Sequence, residues 1–136
     1  MTTIFGAYDI RGKYPSQINE KVVAKISQRL AFYFGLKAKT KNLKPKLVVA
    51  HDARLSSPRL YKTVLKTLKP KTYNLKPIPV GLATTPMFYF LVRQQKASGG
   101  IMITASHLPK NYNGLKVVDK NALSISGREI KKLFKL

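Results

Sequence analysis

The sequence contains no cysteine and only 5 acidic residues among its 136. Without cysteine, disulfide bridges and thiolate metal sites are excluded, so stability must come from packing. No apolar run approaches the roughly 20 residues that a transmembrane helix needs. The N-terminus also lacks the basic and then apolar order of a signal peptide. We therefore expect a soluble, cytoplasmic protein with no membrane partner.

The scarcity of acidic residues leaves a large positive charge. With 26 Lys and Arg, the formal net charge is +21, a value that favours attraction to polyanions such as nucleic acid. The basic residues are spread along the chain without a dense block or interleaved aromatic residues, which is typical of a solvated surface. Nucleic-acid association is therefore an alternative that the sequence does not favour. A longer parent chain that is acidic elsewhere would also explain the excess.

The hydrophobic pattern changes its period several times, as it does where strands alternate with helices. Helices are predicted over residues 19–35, from Ser56, from Thr84 to about residue 96, and from Ser126 to the end of the chain; strands are predicted at 46–51, 73–80, 101–104 and 115–118. The first helix should bury one stripe, formed by Ile18, Val22, Ile26, Leu30 and Phe34. The length and a hydrophobic content of 44% suit one domain over residues 1–136. We predict a single α/β domain of three layers, with a mainly parallel mixed sheet flanked by helices.

Three loops follow successive predicted strands, at residues 51–58, 81–86 and 105–114. Functional residues in open α/β sheets gather in loops at the carboxyl ends of the strands. We therefore expect the three loops to lie side by side and to form one site.

The richest of these loops reads Thr-Ala-Ser-His-Leu-Pro-Lys-Asn-Tyr-Asn-Gly-Leu-Lys from residue 104 to residue 116. A serine hydroxyl beside an imidazole, Ser106 and His107, suits a nucleophile loop, and Asn113-Gly114 predicts a tight turn after it. A serine–histidine pair by itself is more often a turn residue next to a surface histidine. A hydrolase triad is disfavoured because few acidic residues exist to orient the histidine.

Segment 104–116 resembles the active-serine loop of the phosphohexomutases, a family that includes phosphomannomutases, phosphoglucomutases and phosphoglucosamine mutases. Three further segments are similar to motifs of the same family and occur in the same order. They are residues 5–12, Phe-Gly-Ala-Tyr-Asp-Ile-Arg-Gly; residues 50–58, Ala-His-Asp-Ala-Arg-Leu-Ser-Ser-Pro; and residues 81–86, Gly-Leu-Ala-Thr-Thr-Pro. Four motifs in order resemble the N-terminal first domain of an alpha-D-phosphohexomutase.

This resemblance implies a role for individual residues. Ser106 would be carried as phosphoserine and would move a phosphoryl group between the 1- and 6-positions of a hexose phosphate through a bisphosphate intermediate. Its phosphate would provide one ligand of Mg²⁺. Arg11 would hold the phosphoserine loop through charge-assisted hydrogen bonds to phosphate oxygens. His107 and Lys116 would be the general acid and base, and an electrostatic clamp is an equal alternative for Lys116.

The resemblance also assigns a supporting role and contains one departure. Four residues would form the scaffold around the loop: Tyr8, Asp9, Asp52 and Arg54. Leu108 stands where the family usually has asparagine, so an amide that could bond phosphate or the turn is missing. We expect the loop to form nonetheless, because Pro109 and Asn113-Gly114 still restrict its geometry, and we expect the efficiency of transfer to be affected.

Enzymes of this family resemble one another in having four domains, and this sequence resembles the first. The Asp-Gly-Asp-Gly-Asp magnesium loop, the sugar-selecting loop and the C-terminal phosphate-binding loop have no counterpart in it. We therefore expect no mutase turnover from this chain by itself. Its partners would be a hexose phosphate substrate and the remaining mutase domains, in cis or in trans. A module that binds a phosphosugar or another anion without turnover is the alternative.

Overall fold

The computed structural model describes residues 4–36, 44–69 and 73–135. Strands and helices alternate over most of this length, as predicted. The strands are β1 (Ile10–Lys13), β2 (Lys46–His51), β3 (Lys76–Leu82), β4 (Gly99–Ile103) and β5 (Tyr112–Asp119). The helices are α1 (Glu20–Leu36), α2 (Ser57–Leu68), α3 (Thr85–Gln94) and α4 (Gly127–Lys132), followed by a short 3₁₀ turn (Leu133–Lys135). Leu136, where the predicted last helix ends, lies outside the described residues.

The five strands form one mixed sheet in the order β1-β5-β4-β2-β3. Strand β2 pairs in parallel with β3 and β4, and β5 pairs antiparallel with β4 and β1. Four strands therefore run in one direction and β5 runs against them. The prediction of a mainly parallel mixed sheet in a single α/β domain is confirmed.

Helices cover both faces of the sheet, which makes the three predicted layers. Residues Leu47 and Val49 of β2 belong to a large buried cluster with α1 and α2, while Val48 and Ala50 join a smaller cluster with α3. This alternation follows from the period-2 geometry of a strand, and it explains why β2 reads as a continuous apolar run. Gly100 allows α3 to approach closely, because a Cβ there would lie 2.7 Å from the ring of Phe88.

Helix starts follow from local capping. The Asn19 side chain accepts a hydrogen bond from the N–H of Val22, the Thr84 hydroxyl accepts from Met87, and the Ser126 hydroxyl accepts from Glu129. Each of these bonds satisfies an N–H that has no partner within its helix. None of the described helices is long and apolar enough to span a membrane.

Four details of the sequence prediction are wrong. The strand predicted at 101–104 begins at Gly99 and ends at Ile103, because Gly99 and Gly100 pair with β2. The third strand begins at Lys76 and continues through Gly81 to Leu82, because both of these last residues pair with β2. The last strand begins at Tyr112, so Asn113-Gly114 is part of β5. In α1, Val23 is buried and Val22 is only half-buried. The buried stripe therefore contains position 23 in place of position 22.

Candidate active site

The three predicted loops lie side by side and form one cavity of about 820 Å³, as expected. The loop after β2 contributes Asp52 and Ala53 to its wall, the loop after β3 contributes Thr84 and Thr85, and the loop after β4 contributes Ser106. Strands β2, β3 and β4 run in the same direction, so the ends of these strands meet at one edge of the sheet. The cavity is therefore a product of the topology.

Ser106 lies at the mouth of this cavity and is exposed to solvent. Its φ of 56° lies in the left-handed region, which is unfavourable by about 1–2 kcal/mol for a residue other than glycine. The Ser106 N–H donates a hydrogen bond of 3.1 Å to the Thr104 hydroxyl, which helps to hold this conformation. A serine in an unfavourable backbone conformation at a cavity is typical of functional sites.

Arg54 holds the loop of Ser106 through hydrogen bonds to four backbone carbonyl oxygens. Its Nη1 donates to the carbonyl oxygens of Pro109 at 2.7 Å and Tyr112 at 3.1 Å. Its Nη2 donates to the carbonyl oxygens of Ser106 at 2.9 Å and Leu108 at 2.7 Å. A planar guanidinium suits this task because its donors have a fixed geometry, which the ammonium of a lysine lacks. The scaffold role inferred for Arg54 from the resemblance agrees with these contacts.

Asp52 orients Arg54 and connects the loop to α2. Its Oδ2 lies 3.3 Å from Nε of Arg54, and its Oδ1 accepts a hydrogen bond of 2.5 Å from the Ser57 hydroxyl. The amide of Asn113 in turn donates to the hydroxyls of Ser56 and Ser57, at 2.7 and 3.0 Å. Asn113 is fully buried, so these bonds satisfy a polar group that would otherwise be costly to bury.

His107 and Lys116 line the same cavity as Ser106. Lys116 pairs with Met102 across β4 and β5, so its side chain is on the sheet face that α3 covers. Its Nζ lies 5.7 Å from the ring centroid of Tyr89 in α3, within the range of a cation–π contact. The structure thus brings together three of the four predicted site residues.

Arg11, the fourth predicted site residue, does not line the cavity. It pairs with Gly114, two residues from Lys116, and therefore lies on the same face of the sheet one strand further out. Its Nε lies 2.9 Å from Oδ1 of Asp9, whose side chain is nearly buried. The hydrogen bonds to the loop carbonyls come from Arg54, and the bond of Arg11 to phosphate oxygens stays a prediction.

Gly114 allows β1 and β5 to pair closely. A Cβ at this position would collide with the carbonyl oxygen of Ile10, so only glycine fits without a shift of the backbone. The predicted tight turn at Asn113-Gly114 is wrong because β1 offers a pairing partner for both residues. The sequence alone does not reveal this pairing.

The loop closes although Leu108 replaces the usual asparagine. The N–H of Leu108 donates to the carbonyl of Ala105 at 3.1 Å, and the N–H of Tyr112 donates to Pro109 at 3.0 Å. Two successive backbone turns thus close the loop without an asparagine side chain. The prediction that the loop forms is confirmed. The Leu108 side chain lines a neighbouring cavity of about 590 Å³ on the other side of Ser106.

Two supporting residues were missed from the sequence. The sequence assigns no role to Thr104, whereas its hydroxyl accepts a hydrogen bond from the N–H of Ser106. Asn113 was interpreted as a turn residue, whereas its side chain joins β5 to the start of α2. No local signal reveals the contacts of Asn113, because its two partners lie 56 and 57 positions away in the sequence.

The described residues do not contain a complete metal site. No group of three His, Asp or Glu side chains there could hold an ion. Asp52, the carboxylate nearest to Ser106 in the cavity wall, already accepts from Arg54 and Ser57. These residues do not form the oxygen cage that Mg²⁺ requires.

Comparison with known proteins places this geometry in a family. The model of the phosphoglucomutase/phosphomannomutase alpha/beta/alpha domain I matches residues 2–136. A protein named phosphohexose mutases from Xanthomonas campestris is 38% identical over 122 residues, which are 90% of this chain and 25% of that protein. A phosphomannomutase from Klebsiella pneumoniae is 38% identical over 136 residues, 96% of this chain and 80% of that protein.

A solved structure agrees. The phosphoglucomutase/phosphomannomutase family protein of Burkholderia thailandensis superposes with a TM-score of 0.83 at 29% identity, over 99% of this chain and 30% of that one. The chain thus spans about a quarter of the length of the Xanthomonas relative. With the family model matching almost every residue, the chain belongs to the phosphoglucomutase/phosphomannomutase family and corresponds to its alpha/beta/alpha domain I.

Proposed function

We propose that Ser106 is the phosphoryl carrier of a hexose phosphate mutase, to which this chain contributes the serine-bearing domain. The observation that carries the proposal is the grouping of Ser106, His107 and Lys116 around one open cavity. An exposed hydroxyl on a fixed loop, beside an imidazole and an ammonium, suits the transfer of a negatively charged group.

The proposed step exchanges one P–O bond for another. The bond between phosphorus and Oγ of Ser106 breaks while a sugar hydroxyl oxygen bonds to phosphorus, and the hydroxyl proton passes to a base. The serine oxygen leaves and is protonated. The reverse step, from the other end of the bisphosphorylated sugar, restores phosphoserine and completes the mutase cycle between the 1- and 6-positions.

Lys116 and His107 would supply charge and protons to this step. Phosphoryl transfer passes through a loose transition state in which charge is spread over the phosphoryl oxygens, so a nearby ammonium stabilises it. The ammonium of Lys116 suits that role, and His107 suits proton exchange with the sugar hydroxyl or with Oγ. Arg11, on the neighbouring strand β1, would donate hydrogen bonds to oxygens of the phosphate.

Magnesium would require ligands from elsewhere. The described residues would offer it only an oxygen of the Ser106 phosphate, since no carboxylate cluster accompanies the serine. We propose that further domains, in cis or in trans, provide the carboxylates and the sugar-binding residues. A cytoplasmic location remains a prediction of the sequence.

The experiment is transfer of phosphate from glucose 1,6-bisphosphate to the purified chain, with Mg²⁺ and the remaining domains of a relative added, read by mass spectrometry of intact protein and of peptides. We expect one phosphate, located at Ser106, and none on the Ser106→Ala variant. Ser124→Ala, which alters an exposed serine outside the cavity, is the matched control and should still take up phosphate.

Phosphate that maps to another residue, or that persists on Ser106→Ala, would contradict the proposal. Binding of the sugar phosphate without any transfer, even when the remaining domains of a relative are added, would instead support a non-catalytic anion-binding module.

A further inference from the structure

Six exposed basic residues lie on the outer side of α1 and α2. They are Lys21 and Lys25 on α1, with Arg59, Lys62, Lys66 and Lys69 on α2 and at its C-terminal cap. We call this set the basic face. The α2 members are three or four residues apart and therefore lie on one side of the helix. Because α1 and α2 pack against each other on one face of the sheet, the fold brings together charges that the sequence spreads over about 50 residues.

Four of the five acidic residues are engaged away from the basic face, and the fifth, Glu20, lies beside it. Asp9 binds Arg11, Asp52 binds Arg54, Asp119 accepts two backbone N–H bonds within its turn, and Glu129 closes the start of α4. Glu20, the fifth, accepts a hydrogen bond of 2.6 Å from the Tyr14 hydroxyl. The two ion pairs found among the described residues include no member of the basic face.

A shallow groove runs between the two helices at this face. It has a volume of about 470 Å³, and Lys21 and Lys66 stand on its two sides, with Glu20 as its acidic residue. Like charges three or four residues apart on a helix repel one another and lower its stability. A bound polyanion would reduce this repulsion.

We infer that the basic face binds the phosphate backbone of a nucleic-acid duplex. From residue 59 to residue 69 the α2 stripe extends about 15 Å, a distance over which a duplex presents about nine phosphates. Lysines act as point charges toward phosphates and need no base contacts, so the binding would be independent of sequence.

Two other classes of partner fit less well. An anionic membrane also attracts lysines, but stable attachment generally adds the insertion of apolar side chains, and the apolar stripes of α1 and α2, including Leu30 and Leu60, are buried in the core. A protein partner generally uses an apolar centre that is depleted of lysine, and this face is rich in lysine. Most of the face is on the opposite side of the sheet from α3, and only its Arg59 end lies near Lys110 of the loop of Ser106.

The test is fluorescence anisotropy of a labelled 20-base-pair DNA duplex with the purified chain, between 50 and 200 mM salt. With six phosphate contacts, the affinity should fall about 1,000-fold over this range. The triple variant Lys62→Gln, Lys66→Gln, Lys69→Gln should bind more weakly at 50 mM, and its affinity should fall only about 40-fold.

A matched triple variant, Lys76→Gln, Lys96→Gln, Lys120→Gln, loses the same charge from exposed positions outside the face and should keep the salt dependence of the parent. Circular dichroism checks that both variants fold. Equal losses in the two triple variants would overturn the inference, as would no duplex binding at 50 mM. Tighter binding to anionic vesicles or to polyglutamate would overturn it as well. Ser106→Ala should bind the duplex like the parent, which separates this inference from the proposed function.

Discussion

The two faces of the sheet differ in how completely they are covered. The face beneath α1 and α2 is closed by a cluster of 20 buried residues among those described, which also includes Ile130 of α4. The opposite face has a cluster of 7 buried residues beneath α3, centred on β2 and β4. Lys116 and Arg11 occupy the part of this second face that extends onto β5 and β1.

The closed face mainly stabilises the fold, whereas the other face carries the candidate site residues. Apolar burial on the closed face provides most of the driving force for folding, in proportion to the area removed from water. The other face can therefore carry charged residues next to the loop edge. Arg54 and Asp52 connect the two regions, since they join the loop of Ser106 to the start of α2.

The largest expected effect tests the closed face. Leu30→Ala removes a fully buried side chain from the larger cluster and should lower the free energy of unfolding by about 2–5 kcal/mol. The control is Phe90→Ala, which shortens a side chain that is 57% exposed on α3 and should change stability by about 0.5 kcal/mol at most. Urea unfolding measures both variants. Similar losses would contradict the full burial of Leu30 in the closed face.

A smaller effect is expected where the two regions join. Arg54→Lys keeps the charge but cannot reproduce the bonds to four carbonyl oxygens, so stability should fall by about 1–3 kcal/mol. Amide hydrogen exchange should become faster at residues 104–112 first. Arg93→Lys, which affects an exposed arginine bonded to the carbonyl of Asn121, is the control and should change little. Unchanged exchange in the loop of Arg54→Lys would show that other contacts hold it.

The smallest effect is a pH dependence at the closed face. Burial raises the pKa of the Tyr61 phenol above its ordinary value of 10.0, and the hydrogen bond from the Gly81 N–H acts against this shift. The folded protein therefore retains the proton longer than the unfolded chain. Stability should decline as the pH rises from about 10 through the raised pKa.

Tyr61→Phe should weaken this alkaline decline, while the raised pKa of Tyr14, which donates to Glu20, maintains the rest; the variant should cost about 1 kcal/mol at neutral pH through the lost hydrogen bond. Thermal unfolding at several pH values above 9 measures the difference between the two proteins. An identical decline in the variant would assign the pH dependence to other groups.

Much of the fold could be predicted because its signals are local. The cap at Thr84, the stripe of α1 and the apolar run of β2 each depend on residues within a few positions. Parallel strands then place their following loops at one edge, so the grouping of Ser106, His107 and Lys116 could also be anticipated. The exact ends of β3 and β5 could not, because pairing with a distant strand decides where a strand ends.

The sequence by itself determined the order of helices and strands, the motifs around Ser106 and the net charge of +21. The tertiary structure alone decided that Arg54 holds the Ser106 loop, through bonds between residues 52 to 58 positions apart. It also decided that Asn113-Gly114 is in a strand, and that lysines spread along the chain meet on α1 and α2. The physical reason is the same in each case, since such contacts depend on which distant segments the buried core brings together.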